Sequence, residues 1–271
     1  MAQDPSSSSQ PLWRRRLAKA QCLGIHTGKK AVFSVGKLYR KYTTQHILLY
    51  TDSRGTNIHG HYDYKHYSTR LSERFFVDAY ISPEKWTTLP DFLKLYRRIS
   101  HRNYDYVILH AGIVDASPRH QKTLLHMIYP QKKEILDEVF GKVEIQAYLH
   151  GDMGYEYEGD KTNNLYSHEM AKIKLLPRIQ KIPNLIWIGS NRIVPGWRGN
   201  YWKDRPVNIS ITEEYAKLFI EALPTKVDLL AWSLDEVQKL TFDNIHPNAA
   251  GSDYIYETLL KIMHQTGETT L

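Results

Sequence analysis

The chain alternates short apolar runs with longer stretches of helical periodicity, and this rhythm restricts the folds open to it. A short apolar run that ends at a polar loop is typical of a buried strand, whereas apolar positions spaced three and four apart over ten or more residues indicate a helix. Strands that alternate with helices pair in parallel, because a helix carries the chain back along the sheet. The pattern predicts an α/β fold, a three-layer α/β/α sandwich around a mainly parallel sheet of about five strands.

The individual elements follow from the same periodicities. The predicted strands are residues 46–50, 74–80, 106–111, 143–149 and 185–188. The predicted helices are residues 89–99, 121–140, 169–179, 213–223 and 249–264. We expect Pro130 to break or kink the second helix, because proline lacks an N–H and its ring clashes with the preceding turn. Residues 31–35 and 227–230 are further apolar runs that fit either edge strands or buried loop segments.

Two polar motifs stand near opposite ends of the chain. Residues 52–55, Asp-Ser-Arg-Gly, directly follow the first predicted strand, and residues 243–247, Asp-Asn-Ile-His-Pro, precede the last predicted helix. Because ligands bind at the carboxyl edge of a parallel sheet, a hydroxyl and a distant imidazole can converge there. A serine activated by a histidine that a carboxylate orients is an arrangement for nucleophilic catalysis. The second motif also fits a simple helix start, since Asp and Pro are common at that position.

These motifs resemble those of the SGNH (GDSL-type) hydrolase superfamily, and the resemblance covers most of the chain. It implies a flavodoxin-like sandwich in which Ser53 is the nucleophile, His246 the general base and Asp243 the residue that orients the base. The chain departs from the family at the oxyanion hole. The third-block asparagine is replaced by Val114, and no glycine between residues 60 and 112 stands for the second-block glycine.

Other groups must therefore stabilise an oxyanion if one forms. We expect backbone N–H groups near Gly112 to do so, together with a cation from Arg54 or Arg119. The alternative for Arg119 is a structural ion pair with Asp115 that braces the loop. Asn191 is a further possible amide donor.

The loop of residues 194–205 is the predicted substrate loop. Its aromatic side chains offer flat apolar faces and its arginines offer hydrogen-bond donors, a mixture suited to sugars or acidic glycans. The alternative is a surface loop that packs its own aromatic residues. The side chains expected to contact substrate are Trp197, Arg198, Tyr201 and Trp202.

Charge and composition indicate which kinds of ligand the protein is expected to bind. The net charge of +7 comes from basic residues scattered among acidic ones, so we expect no nucleic-acid binding. Residues 150–160 contain several polar side chains in no familiar ligand pattern, and neither a metal nor another cofactor is expected.

Location and domain structure are predicted from the termini and the cysteine content. Cys22 is the only cysteine, so no disulfide forms within the chain and a cytoplasmic location is expected. The sequence has no run long enough to span a membrane. Residues 1–20 are predicted to form a flexible tail, and residues 21–271 a single SGNH hydrolase-like domain.

Together these observations predict a serine esterase or deacetylase that acts on an acylated, O-acetylated carbohydrate through an acyl-enzyme. Two alternatives stay open. The same triad would serve a carbohydrate O-acetyltransferase if a sugar hydroxyl replaced water as the acceptor. The altered oxyanion residues also fit a glycan-binding protein in which the triad is a remnant.

Overall fold

The computed structural model of the protein describes residues 33–34, 45–57 and 64–268. The strands in these ranges are β1 (Phe33–Ser34), β2 (His46–Thr51), β3 (Phe76–Ile81), β4 (Tyr106–His110), β5 (Arg119–His120), β6 (Glu156–Tyr157), β7 (Asp160–Asn163), β8 (Leu185–Ile188) and β9 (Lys226–Val227). The helices are α1 (Tyr67–Arg74), α2 (Leu89–Ile99), α3 (Ile113–Ala116), α4 (Gln121–Thr123, Leu124–Ile128 and Tyr129–Phe140), α5 (Lys142–His150), α6 (His168–Met170, Ala171–Leu175 and Leu176–Ile179), α7 (Ile211–Ala222), α8 (Leu234–Leu240) and α9 (Ala249–Glu268).

The main sheet has the strand order β1, β3, β2, β4, β8, β9. Strands β3, β2, β4, β8 and β9 are parallel, and β1 pairs with β3 in the antiparallel sense at one edge. The chain passes from β2 outward to β3 and then returns to the other side of β2 to form β4. In open α/β sheets this change of direction leaves a crevice at the carboxyl ends of the strands, where ligands bind.

Two apolar layers cover the sheet because side chains alternate along each strand. Leu48 and Tyr50 of β2 belong to the cluster that packs on α2, α4, α5, α6 and α7. Ile47 and Leu49 belong to the opposite cluster, which includes residues of α1, α8 and α9. All four are at most 1% exposed, which explains why β2 has a continuous apolar run instead of an alternating one. The predicted α/β sandwich is confirmed.

One predicted strand is wrong. Residues 143–149 lie in helix α5, not in a strand. Ile145 and Leu149 of α5 are fully buried and stand four residues apart, whereas Val143 in the first turn of the same helix is 79% exposed. The apolar residues therefore have a helical period. Gly141, at φ 87°, allows α4 to end and α5 to begin without an intervening loop.

Four predicted strands and all five predicted helices are confirmed with small shifts of their ends. Pro130 does not end α4, because Leu124–Ile128, the segment that ends two residues before it, is π-helical. A π-helical segment shifts the hydrogen-bond register, so the helix continues past a residue that has no N–H. In α6 the π-helical segment Ala171–Leu175 likewise ends two residues before Pro177.

The predictions for the two short apolar runs, the N-terminal residues and membrane-spanning segments can be compared with the structure only in part. The run 31–35 contains the edge strand β1, and the run 227–230 begins at the end of the edge strand β9. Residues 1–20 and Cys22 lie outside the described residues. No helix in the described ranges is both long and apolar enough to cross a membrane.

A small antiparallel sheet stands beside the main one, in the order β5, β7, β6. Strands β6 and β7 form a tight hairpin whose turn residues, Glu158 at φ 49° and Gly159 at φ 77°, both have left-handed conformations. Paired left-handed residues match the twist of a two-residue hairpin turn. This hairpin, together with β5, positions side chains above the carboxyl edge of the main sheet.

We expect Ile108→Ala to lower the free energy of unfolding by about 2–5 kcal/mol, because Ile108 is fully buried in the central strand β4 and its truncation leaves a cavity. Urea denaturation measures the effect. Ile173→Ala is the matched control, since Ile173 is 59% exposed, and it should change stability by less than about 0.5 kcal/mol. Equal effects of the two substitutions would contradict the assignment of β4 to the core.

Candidate active site

Ser53 stands immediately beyond the carboxyl end of the central strand β2. The buried strand ends at Thr51, and residues Ser53–Gly55 form a single 3-10 turn capped by Asp52, whose carboxylate accepts from the Arg54 N–H at 3.0 Å. A Cβ atom on Gly55 would lie 1.6 Å from the Thr51 Oγ1 atom. The glycine of the Asp-Ser-Arg-Gly motif is therefore required by close packing, and it allows the turn to present Ser53 at the sheet edge.

Ser53, His246 and Asp243 form a continuous hydrogen-bonded chain. The Ser53 Oγ atom lies 2.9 Å from the His246 Nε2 atom. The His246 Nδ1 atom lies 2.8 Å from one carboxylate oxygen of Asp243 and 3.0 Å from the other. Because the carboxylate can only accept from Nδ1, the hydrogen belongs on Nδ1 and Nε2 is left to accept the serine proton.

The loop that carries His246 and Asp243 is held in a fixed shape by Asn244. This residue has φ 73°, a left-handed conformation that asparagine tolerates better than most residues. Its side chain accepts from the Val194 N–H at 2.8 Å and donates to the carbonyl oxygens of Val194 and Trp197 at 2.9 and 2.7 Å. The reversal at Asn244 brings Asp243 under the ring of His246. Sequence reasoning missed Asn244, although an asparagine inside the motif was a usable signal.

Arg205 is a second residue that sequence reasoning missed. Its Nη2 atom donates to the Asp243 carbonyl oxygen at 3.0 Å and to its carboxylate at 3.2 Å, and the guanidinium lies 3.7 Å from the Tyr201 ring centroid. Burial alone would raise the pKa of Asp243. The charge and hydrogen bonds of His246, with the charge of Arg205, instead hold that pKa well below its ordinary value. Asp243 therefore stays ionised at neutral pH.

Arg54 occupies a different place from the one expected of an oxyanion donor. It is 1% exposed, and its Nε and Nη2 atoms bind the two carboxylate oxygens of Asp52 at 3.0 and 2.9 Å. Its Nη1 atom donates to the Ser190 Oγ atom at 2.8 Å and to the Gly189 carbonyl oxygen at 3.3 Å. The side chain is engaged in a buried bidentate pair that joins the ends of β2 and β8.

The Asp115 side chain is also buried and bonded to other parts of the fold. It is 1% exposed and accepts from the Leu89 N–H at 3.1 Å and the Tyr166 hydroxyl at 2.7 Å. Burial raises the pKa of its carboxyl to about 7. It forms no ion pair with Arg119 among the described residues, so the alternative of an Asp115–Arg119 brace is wrong. The loop is braced instead by the Asp115 contacts to α2 and to Tyr166.

The predicted amide donor Asn191 also points elsewhere. Its side-chain nitrogen donates to the carbonyl oxygens of Arg192 and Asn244 at 2.6 and 2.9 Å. Asn191 is therefore part of the support for the histidine loop, and it does not restore the donor that Val114 lacks.

The predicted substrate loop divides into two groups. Tyr201 lines the cleft that contains Ser53 and His246. Trp197 is half-buried against the core beside α9. Arg198 lies 3.8 Å from Asp204 in an exposed ion pair, and Trp202 is 77% exposed. The structure does not place the last three at the cleft.

The cleft has a volume of about 330 Å³. Ser53 and His246 share it with Ile113 and Val114, which follow Gly112 at the end of β4. Gly112 has φ 113°, a conformation open mainly to glycine, and it starts the short helix α3. The remaining side chains of the cleft are Trp86, Ser117, Pro118, Arg119, His120, Thr123, Tyr157, Tyr201, Lys203, Asp204, Arg205, Pro206, Ile209 and Ile245.

In the described ranges, backbone N–H groups without an acceptor occur just beyond the ends of β2 and β4. Within the part of the chain that the structure describes, no acceptor is found for the N–H groups of Ser53 and Gly112. Ser82, directly after β3, has φ 44° as a glycine would, but its N–H donates to the Thr51 carbonyl oxygen at 2.8 Å. Ser53 and Gly112 are therefore the better candidates for binding an oxyanion.

Two histidines, His66 and His110, are buried, and sequence reasoning missed both. His110 ends β4 and its Nδ1 atom lies 2.7 Å from the Tyr67 hydroxyl. Burial lowers the pKa of His66 to about 3 and that of His110 well below its ordinary value, and the charge of His246 acts in the same direction. Both rings are neutral at physiological pH. Among the described residues, no group of three or more His, Cys, Asp or Glu side chains is arranged to hold a metal.

Comparisons with known proteins give only distant similarities. No protein-family model matches the chain, and no curated protein matches its sequence. Its structure is similar to that of the acetylxylan esterase Axe2 from Geobacillus stearothermophilus, with 14% identity over 82% of this chain and 95% of that one and a TM-score of 0.40.

Two other structures show a likeness of the same order. LAE5, an α/β hydrolase enzyme from the metagenome of Lake Arreo, Spain, has 14% identity over 82% of this chain and 96% of that one, with a TM-score of 0.40. The salicylyl-acyltransferase SsfX3 from a tetracycline biosynthetic pathway has 15% identity over 84% of this chain and 56% of that one, with a TM-score of 0.37. Because these identities and TM-scores are low, we infer function from the geometry of the site.

We expect Arg54→Met to lower the free energy of unfolding by about 3–5 kcal/mol, because it leaves the buried Asp52 carboxylate without its partner. The double variant Asp52→Asn/Arg54→Met removes both charges and should recover part of that loss. Urea denaturation of both variants and of Asp52→Asn completes the cycle. Additive losses across the cycle would contradict the coupling of the two side chains.

We expect the free energy of unfolding of Asp115→Asn to rise relative to that of the unsubstituted protein as pH rises from 4 to 7. The folded carboxyl keeps its proton up to a pKa of about 7, whereas an unfolded aspartate releases it near a pKa of about 3.9. Between these values unfolding releases a proton, so the free energy of unfolding falls as pH rises, by at most about 1.4 kcal/mol per pH unit.

The amide of Asp115→Asn does not titrate and lacks this dependence. Denaturant unfolding of both proteins at several pH values measures the difference. Asp105→Asn is the matched control. Asp105 directly precedes β4, at the other end of the strand, and its carboxylate accepts from the His46 N–H at 2.6 Å. A pH-independent difference between Asp115→Asn and the parent protein would contradict the raised pKa.

Proposed function

We propose that this protein is a serine esterase that removes an acyl group, in the simplest case acetyl, from an acylated carbohydrate through an acyl-enzyme at Ser53. The observation that carries the proposal is the unbroken chain of hydrogen bonds from the Ser53 hydroxyl through His246 to Asp243. Each contact lies within the reach needed for proton transfer. Ser53 and His246 come from loops 193 residues apart and meet in one cleft, and Asp243 is buried against His246; this arrangement supports a catalytic role.

The first half of the reaction forms the acyl-enzyme. The His246 Nε2 atom accepts the proton of the Ser53 hydroxyl as the serine oxygen bonds to the ester carbonyl carbon. The carbonyl π electrons move onto its oxygen and give a tetrahedral oxyanion. When this intermediate collapses, the ester C–O bond breaks and the protonated His246 gives its proton to the departing alcohol. Acyl-Ser53 and a free sugar hydroxyl remain.

The second half repeats these steps with water. His246 takes a proton from the water as its oxygen attacks the acyl carbon, and then returns that proton to the Ser53 oxygen as the acyl group leaves as the acid. Asp243 stays ionised throughout and stabilises the imidazolium form of His246. His246 is the main cause of the low pKa of Asp243, and the charge of Arg205 adds to it.

Oxyanion stabilisation is assigned to backbone groups. The N–H groups of Ser53 and Gly112 have no acceptor among the described residues, and Val114 cannot donate a hydrogen bond from its side chain. At φ 113° a side chain on residue 112 would be strained, which favours glycine at this position. Two backbone donors in a site partly shielded from water are a common arrangement for binding a developing negative charge.

The walls of the cleft support a carbohydrate substrate. Trp86, Tyr157 and Tyr201 provide aromatic surfaces, and the polar side chains between them provide donors and acceptors for hydroxyl groups. The volume of about 330 Å³ is within the range of small-molecule sites. The chemistry at Ser53 is the same if a sugar hydroxyl replaces water in the second half, so transfer is distinguished from hydrolysis by product analysis.

We expect the protein to release p-nitrophenol from p-nitrophenyl acetate, and Ser53→Ala and His246→Ala each to lower kcat/KM by roughly 10³-fold or more, because each removes a reacting group. Ser210→Ala and His126→Ala are matched controls at exposed positions and should retain activity. The assay is run with and without a simple sugar acceptor. Acetyl-sugar formation in its presence would indicate an acyltransferase.

Equal rates for the parent protein and both triad variants would overturn the proposal. A serine-directed phosphonate gives an independent readout, because it labels an activated serine even if the acetyl ester is a poor substrate. Mass spectrometry should find the adduct on Ser53 in the parent protein and none in His246→Ala.

A further inference from the structure

The cleft around Ser53 is lined by cations. Arg119, Lys203 and Arg205 line it together with His120, whereas Asp204 is the only acidic residue among the described residues that line it. The Asp204 side chain is 90% exposed and is turned toward Arg198. The excess of positive charge at the cleft is thus local, in addition to the net charge of +7 of the whole chain.

These cations differ in whether the protein already neutralises them. Lys203 binds Glu158 at 2.9 Å, and Arg205 binds the Asp243 carboxylate at 3.2 Å. Arg119 has no carboxylate within ion-pair distance in the described ranges. Asp115, four residues before it, is engaged by Leu89 and Tyr166.

Arg119 is held in a defined position although it has no acidic partner. Its backbone is fixed by pairing with Asn163 in the small sheet, and its Nε atom donates to the Val114 carbonyl oxygen at 3.3 Å. Its guanidinium lies 5.1 Å from the Trp86 ring centroid. The two Nη nitrogens have no acceptor among the described residues, and neither is sealed from solvent.

A half-buried cation without an anion carries an uncompensated desolvation cost. Burial lowers the pKa of Arg119; nearby Tyr201 and Asp115 offset part of this shift and the charge of Arg205 adds to it, so that the pKa is lowered on balance. An oxyanion that accepts from both Nη nitrogens would offset this cost, because arginine binds planar carboxylates and tetrahedral sulfates or phosphates through paired hydrogen bonds. Because the bond to Val114 uses Nε, the two Nη nitrogens stay available to such an anion.

We propose that the cleft takes esters that also carry an oxyanion group, a carboxylate, sulfate or phosphate, and that Arg119 is the residue that binds this group. The substrate class is then an acylated acidic sugar. This inference rests on the proposed function, because the same cleft must hold the ester at Ser53. Arg119 acts as a specificity residue, with Trp86 and the Val114 carbonyl oxygen positioning its guanidinium.

Matched esters test the inference. The value of kcat/KM is measured for 4-acetoxybenzoate and for its neutral methyl ester, methyl 4-acetoxybenzoate, and the ratio of the two is taken. We expect the ratio to fall roughly 10- to 100-fold in Arg119→Gln, because a hydrogen-bonded charge pair is lost. Arg119→Lys should lie between the two, since it keeps the charge and loses the paired geometry.

Lys122→Gln is the control, because Lys122 is exposed nearby and its loss changes the net charge equally. It should leave the ratio unchanged. An equal fall of the ratio in Lys122→Gln and Arg119→Gln would overturn the specific role of Arg119, as would a ratio that Arg119→Gln does not change. Acetate esters that carry an aryl sulfate or an aryl phosphate in place of the carboxylate distinguish the three kinds of oxyanion.

Binding is measured separately so that the two proposals can fail independently. In the Ser53→Ala protein, glucuronate should change tryptophan fluorescence saturably, glucose should do so much more weakly, and Arg119→Gln should remove the difference. Trp86→Phe identifies the signal as coming from the ring beside Arg119. Glucuronate binding without any ester hydrolysis would overturn the proposed function alone, and hydrolysis of the neutral ester without preference for glucuronate would overturn the inference alone.

Discussion

The buried pair of Asp52 and Arg54 is the interaction on which the geometry of the site depends. Arg54 uses three nitrogen atoms, two for the Asp52 carboxylate and one for the loop after β8. Asp52 in turn caps the 3-10 turn that presents Ser53. Ser53 lies between these two residues in sequence, so its position is set by charges buried on both sides of it. A pair buried this deeply is costly unless its hydrogen bonds are satisfied, and here they are.

Sequence reasoning succeeded where a local pattern had a single physical cause. The runs that became β2, β4 and β8 were recognisable because both faces of each strand are buried, which leaves no polar alternation. The prediction of a strand at residues 143–149 was wrong because the pattern there had more than one physical interpretation. Ile145 and Leu149 have helical spacing, but in a seven-residue window this pattern is hard to tell from a strand, and Gly141 did not show that a new helix starts directly after the old one.

At the site, the motif residues were recognisable from the sequence and their supports were not. Ser53, Asp243 and His246 occur in short motifs, so their residue types suggested them directly. The partners of Arg54 and Arg205 lie in parts of the chain that only the fold brings close, such as Ser190 for the first and Asp243 for the second. For this reason an arginine next to the nucleophile was taken as an oxyanion donor, whereas Arg205, which contacts the triad, was not singled out.

The distance along the chain between Ser53 and His246 has a consequence for how the protein is made. Ser53 precedes His246 by 193 residues, and helix α9, which packs on the core beside α1 and β4, begins three residues after His246. A chain emerging from the ribosome therefore displays Ser53 long before His246. Contacts so remote in sequence form late in folding, because closing a long loop costs conformational entropy. We therefore expect the hydrogen bond between Ser53 and His246 to form late, together with the docking of helix α9.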